Sequence, residues 1–217
     1  MEKVIVIDYE TLGTKPTSKC LMFAAVVIDL QSTDNFDDLI KDKNCTFKAK
    51  LSLADQPQRT ICKNTIEWWK QQPLESRNKI LTPCVDDVTI STFLRQFQIF
   101  CNRHMINSNT MGYSRGEIDF QLTDSLVSEY AKDTIYQMGE SMFPVPYYNR
   151  DNVRSAYRWG YGNIKAAKAP IPKRQFSDAF QKHDPLHDVC KDALILQTLY
   201  HHIRNPSSMH GKEFILV

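Results

Sequence analysis

The chain has 217 residues, 42% of them hydrophobic and 24% charged, with a net charge of +2. That composition fits one globular core and a single domain over residues 1–217, and no apolar run approaches the roughly 18 residues of a membrane span. Six cysteines lie far apart, without a CxxC pair or a nearby histidine at zinc-finger spacing, and read as reduced core or surface thiols.

Met1-Glu2-Lys3 leads straight into a strand without the features of a secretory signal, so a cytoplasmic protein is expected. Val4–Asp8 reads as a first strand, and Cys20–Leu30, apolar on both faces, as a central second strand. The "GTKPTSK" between them has turn chemistry. "QSTDNFDDLIKDKN" is polar and reads as an exposed connection to a third, half-exposed strand over Cys45–Leu51. Periodicity then turns helical: Thr65–Gln72 with a Thr cap, and Thr89–His104 with Ile90, Phe93, Leu94, Phe97 and Cys101 on one stripe. Asn109–Ser114 is a short strand followed by a helix through "LTDSLVSEYAKD". A last helix includes "ALILQTLYHHI", and the tail after about residue 204 is expected to be peripheral. Strands, then helices, then strand and helices predict an α/β fold with a mixed central sheet whose first strands are antiparallel.

Three acidic sites stand out. In a strand, residues i and i+2 share a face, so Asp8 and Glu10 of "VIVIDYETLG" project together about 6–7 Å apart. Two such carboxylates repel, and a divalent cation relieves the repulsion. The alternative is a strand that ends at Val6 or Ile7 and leaves both acids in water. Asp119, in "GYSRGEIDFQL", sits at a strand-to-helix junction as a metal ligand or a helix cap.

In "HDPLHDVCKDAL", Asp184-Pro185 is a helix-start signature that leaves His183 just outside the helix. Asp188, Asp192, Ile195 and Leu199 then form a stripe, acidic at one end and apolar at the other. A histidine beside acids suits general-base work. His183 and Asp188 have the same offset as His187 and Asp192; the first pair is preferred because His183 is hinged before the helix.

In this order, Asp8-x-Glu10-Thr11, Asp119 and His183-x4-Asp188 resemble the three motifs of the DEDDh branch of the RNase H-like 3′–5′ exonucleases. "TIEWWKQQ" and "YSRGEID" are similar to a group of phage exodeoxyribonucleases and bacterial exoribonucleases within that branch. The resemblance implies an RNase H-like α/β fold, two Mg²⁺ or Mn²⁺ ions held by Asp8, Glu10, Asp119 and Asp188, and His183 activating the attacking water. It further implies contacts from Thr11 and Leu12 to the 3′-terminal nucleotide and release of 5′-mononucleotides. Two positions depart from the family pattern. Ile118 replaces an aromatic residue, which leaves Asp124 open as a substitute for Asp119, and Pro185 replaces a small one, which leaves the His–Asp register open.

The residues themselves add a nucleic-acid signal. Tyr147–Lys182 interleaves Tyr148, Tyr157, Trp159, Tyr161 and Phe176 with eight basic residues, and from Arg150 to Lys182 these stand against only Asp151 and Asp178. That combination follows phosphates and stacks unpaired bases, unless the aromatics turn into the core. Of Trp68 and Trp69, about 100° apart on a helix, one is expected in the core and the other, taken as Trp68, at the site. Arg115 is either a phosphate contact or a strand-end cap. The expected partner is single-stranded nucleic acid, DNA favoured over RNA; an exoribonuclease and an inactive binding module are the alternatives. A homodimer is left open, since small relatives often pair.

Overall fold

Val4, Ile5, Val6 and Ile7 are at most 3% exposed, the burial of a strand covered on both faces. In the computed structural model, which describes residues 2–131, 143–209, 211 and 213–217, they form the first half of β1 (Lys3–Thr11). β2 (Cys20–Asp29) returns antiparallel to it, pairing Asp29 with Lys3 and Met22 with Glu10. β3 (Thr46–Lys50) continues antiparallel on β2. On the other side of β1, β4 (Met111–Ser114) runs parallel to it and β5 (Arg150–Asn152) parallel to β4. The order is β3-β2-β1-β4-β5, a mixed sheet with β1 at its centre. Parallel β4 requires a crossover from the antiparallel half, and the intervening helices provide it.

The stretch read as an exposed connection contains a short helix, α1 (Phe36–Lys41), capped by Asn35. Two apolar residues three apart, Phe36 and Leu39, are enough to bury one face of it. α2 (Lys63–Lys70) starts two residues before the expected Thr65, and Cys62 rather than a threonine stands at its N-cap. α3 (Leu74–Leu81) follows Pro73, and α4 (Ile90–Arg103) is capped by Thr89. α5 (Ile118–Tyr130) opens before Leu122; Lys132 and Asp133 of the expected helix lie outside the described residues. α6 (Val153–Gly160) is capped by Asn152, and α7 (Pro185–Arg204) by Asp184. In the tail, β7 (Phe214–Leu216) pairs antiparallel with β6 (Pro170–Pro172). No helix among the described residues is long and apolar enough to cross a membrane.

Strand alternation divides the core in two. Ile5, Ile7 and Tyr9 face a cluster with Phe23, Phe93, Phe97 and Phe120. Val4 and Val6 face the opposite cluster, built on Val189, Ala193, Leu194 and Ile195 of α7. Asp8 and Glu10 continue the Val4 and Val6 face, so the chain alternation itself aims both carboxylates at the side covered by α7. α6 packs on α7 at Gly160, where an added methyl group would overlap the Leu199 side chain. Gly160→Ala is therefore expected to lower stability by about 1–3 kcal/mol through overpacking, measured as a lower urea midpoint at unchanged slope.

Candidate active site

β1 stays extended to Thr11, with Asp8 opposite Ala24 on β2, so neither acid lies in a loop. Glu10 is 9% exposed. Asp119 stands in the first turn of α5, immediately beyond β4, where its Oδ1 accepts the Tyr9 N–H at 3.3 Å. Tyr9 Oη meets Thr123 Oγ1 at 3.1 Å, and Thr123 Oγ1 donates to the Asp119 carbonyl at 2.9 Å. One side chain on the far face of β1 thus holds the start of α5 against the strand, which carries Asp119 to the strand's end. Asp124 is turned away and forms a surface ion pair with Arg150.

The third element is the start of α7. Asp184 accepts the Leu186 N–H at 3.0 Å and is held by Lys48 and Lys79. His183, just before it, has a left-handed backbone with φ 65°, unusual for a non-glycine residue, and its N–H donates to Asp188 Oδ2 at 3.2 Å. That bend turns the imidazole toward β1, with Nδ1 3.9 Å from Glu10 Oε1. Glu10, His183 and Asp188 each offer a ligand atom within 4.8 Å of the others. His183 Nε2 is buried without a hydrogen-bond partner among the described residues.

The competing pair is occupied elsewhere. His187 lies against Phe36 and Phe180, and its Nδ1 accepts the Gln181 N–H at 3.1 Å. Asp192 is bound by Arg115, whose Nε lies 3.1 Å from both carboxylate oxygens. Arg115 is therefore engaged with a buried acid of α7 rather than capping the strand end.

Trp69 is core, 1% exposed, with Nε1 donating to the Thr11 carbonyl at 2.9 Å. Trp68 is 39% exposed and meets the His183 ring edge-on at 4.8 Å. It lines a cleft of about 520 Å³ together with Glu10, Thr11, Cys62, Asn64 and Thr65. Leu12 does not line this cleft; it is buried against Trp69, Leu21 and Ile80. Lys191 was not anticipated: its ammonium pairs with Asp188 and lies 4.7 Å over the Phe180 ring. Its only trace in the sequence is the three-residue spacing from Asp188, which places both on one helix face.

The electrostatics reflect this crowding. Burial, then Asp119, Asp188, Glu10 and Asp192, raise the Asp8 carboxyl well above its ordinary value. Burial, Asp188 and Asp119 do the same to Glu10. Asp119 is pushed up to about 7, mainly by burial. Burial, assisted by the nearby Lys182 and Lys191 charges, lowers His183 despite Asp188, so its imidazole is neutral at pH 7. Several hard oxygen donors that disfavour one another's ionisation fit Mg²⁺ or Mn²⁺, whose charge would reverse that cost.

Comparison with known proteins bears on this geometry. The model of the family described as the 3′-5′ exoribonuclease Rv2179c-like domain matches residues 3–200. The chain belongs to this family. Its Rv2179c-like sequence is also 29% identical over 206 residues to the exodeoxyribonuclease of Enterobacteria phage T4, covering 88% of this chain and 86% of that one. Among solved structures, cell-death related nuclease 4 aligns over 100% of this chain and 67% of its own, with a TM-score of 0.57 at 16% identity. Exonuclease I of E. coli, solved with an oligonucleotide, aligns over 95% of this chain and 42% of its own, with a TM-score of 0.54 at 14% identity. Those structures establish the RNase H-like exonuclease fold. Family, relative and fold together make this Rv2179c-like chain a DEDDh-type 3′–5′ exonuclease, as the motif order implied.

The Asp184 carboxylate is subject to two opposing influences. Burial opposes its ionisation, but Lys48 and Lys79 outweigh burial and hold its carboxyl below the ordinary 3.8. Its charge therefore contributes stability that is complete above about pH 4 and is lost as pH falls through the lower folded value. Asp184→Asn keeps a helix cap and removes the charge. The variant is expected to be about 1–3 kcal/mol less stable at pH 7, with the gap in urea midpoint closing below pH 4.

Proposed function

We propose that this chain hydrolyses single-stranded DNA from its 3′ end to 5′-mononucleotides, with Asp8, Glu10, Asp119 and Asp188 holding two divalent cations and His183 acting as general base. The observation that carries this reading is the convergence of Glu10, His183 and Asp188 beside the Trp68 cleft. When bound, Mg²⁺ or Mn²⁺ supplies charge stabilisation to the attacking and leaving oxygens of the phosphodiester.

The chain's own residues account for the rest. The neutral His183 imidazole, turned toward Glu10, takes a proton from the attacking water. Glu10 Oε1, 3.9 Å from Nδ1, stabilises the imidazolium that forms. Asp188 holds the His183 backbone in its bend through the N–H contact. Trp68, part exposed at the cleft wall, stacks the terminal base, and Thr11, which lines the same cleft, contacts the terminal nucleotide. Leu12 acts from beneath, packing against the Trp69 ring whose Nε1 binds the Thr11 carbonyl.

DNA is favoured by the phage exodeoxyribonuclease relative. RNA is the second reading, because the matching family is named for exoribonucleases. The test gives the protein 3′-labelled and 5′-labelled single strands of DNA and RNA, with Mg²⁺ and with EDTA. Mononucleotide release from the 3′ end, faster on DNA and abolished by EDTA, is expected. Cleavage that resists EDTA, or begins at the 5′ end, contradicts the mechanism, and faster turnover of RNA selects the second reading. Asp8→Asn is expected to abolish turnover with an unchanged circular dichroism spectrum, and His183→Ala to slow it by roughly 10²–10⁴-fold. Full activity in either variant would remove the assigned role.

A further inference from the structure

The segment richest in basic residues supplies the edge strand β5, α6 and β6, and supplies none of the acidic site's carboxylates. Arg150 and Lys173, near its ends, are paired with Asp124 and Glu213. Among the described residues, no carboxylate pairs with Arg154, Arg158, Lys165 or Lys168, which lie between them. On α6, Arg154 and Arg158 form one stripe, and Ser155 and Trp159 the adjoining one about 100° round the helix. Trp159 is 76% exposed, while its neighbour Tyr157 is 1% exposed and takes the core side. The Asn163 N–H donates to the Arg158 carbonyl at 2.8 Å, and Arg158 Nε to the Ala166 carbonyl at 2.8 Å. Those bonds fold the turn that carries Lys165 back onto the end of α6.

We propose that this face of α6 and the following turn bind the substrate strand upstream of the scissile bond, phosphates on Arg154, Arg158, Lys165 and Lys168 and a base on Trp159. Charge complementarity selects the occupant: unpaired cations attract a polyanion, and an exposed indole between them offers an unpaired base a stacking surface. A duplex keeps its bases stacked on each other and leaves the indole unused. The face is also continuous with the active site. A cleft of about 310 Å³ is lined by Glu117 and Phe120, which flank Asp119, by Ser114 at the end of β4, and by Ser155 on α6. Glu117 and Asp151 in its wall outnumber Arg150, which is paired with Asp124, so the cleft takes sugar and base as the strand crosses toward α6.

The proposal rests on the exonuclease reading for the identity of the strand, and binding without turnover separates the two. Fluorescence anisotropy in EDTA, with oligothymidylate of 3 and 20 nucleotides, reads the surface alone. Wild type is expected to bind the 20-mer at least about tenfold more tightly than the 3-mer. That ratio should collapse toward one in Trp159→Ala and in Arg154→Glu/Lys165→Glu, and the double variant should lose about 0.7 of salt slope per cation removed. Equal ratios in wild type and variants, or no gain with length in wild type, overturn the proposal. If the strands bind as expected but wild type with Mg²⁺ releases no mononucleotide, the surface stands and the exonuclease reading fails.

Discussion

Like charges gathered at the end of the central strand impose the constraint to which the surrounding structure answers. β1 is flanked by β2 and β4, so the ends of its side chains are desolvated where Asp8 and Glu10 emerge. Asp119 enters from α5 and Asp188 from α7, and each addition makes ionisation of the others harder. Two outer acids are neutralised internally, Asp184 by Lys48 and Lys79 and Asp192 by Arg115, while Asp188, which faces Glu10 and His183, carries Lys191 on its other side. Among the described residues, no lysine or arginine pairs with Asp8, Glu10 or Asp119. Protonation relieves the repulsion of the inner set, and so would a divalent cation, whose chemistry matches carboxylate oxygen.

The same graded pairing explains how so acidic a cluster coexists with a stable fold. Breaking a buried ion pair is costly because the remaining charge is stranded, so Arg115 and Asp192 knit β4 to α7 as well as balancing charge. The apolar half of the sheet does the complementary task. Tyr9 packs 4.6 Å from the Phe23 ring and meets Thr123 through its hydroxyl, so a residue facing away from the site fixes the register of α5 and with it Asp119. His183 occupies the junction of these demands. Its left-handed backbone is disfavoured by roughly 1–2 kcal/mol for a non-glycine residue, and it is held by the Asp188 contact and the cap that follows.

Much of this was legible in residue order because the signals were local. The apolar run from Val4 predicted a central strand; period-two alternation put Asp8 and Glu10 together and Tyr9 opposite; Thr89 and Asp184-Pro185 marked helix starts that are observed. Less periodic stretches hid their structure. α1 has only Phe36 and Leu39 to anchor it, and α6 and β5 lie in a segment whose hydrophobic pattern is broken by arginine and tyrosine. β7 finds its partner in β6, over forty residues earlier, which no local pattern can announce.

By itself the sequence determined the fold class, the order of the acidic motifs and the face on which Asp8 and Glu10 stand, because alternation and capping act within a few residues. It left two histidine–aspartate pairs with identical spacing. Only the tertiary structure separated their surroundings, because the partners come from far along the chain: Arg115 takes Asp192, Phe36 and Phe180 enclose His187, and Glu10 meets His183 and Asp188. The two tryptophans divide for the same reason. Adjacent on one helix, they differ by a rotation of about 100°, and the position of the Thr11 carbonyl on β1 made Trp69 core and left Trp68 at the cleft.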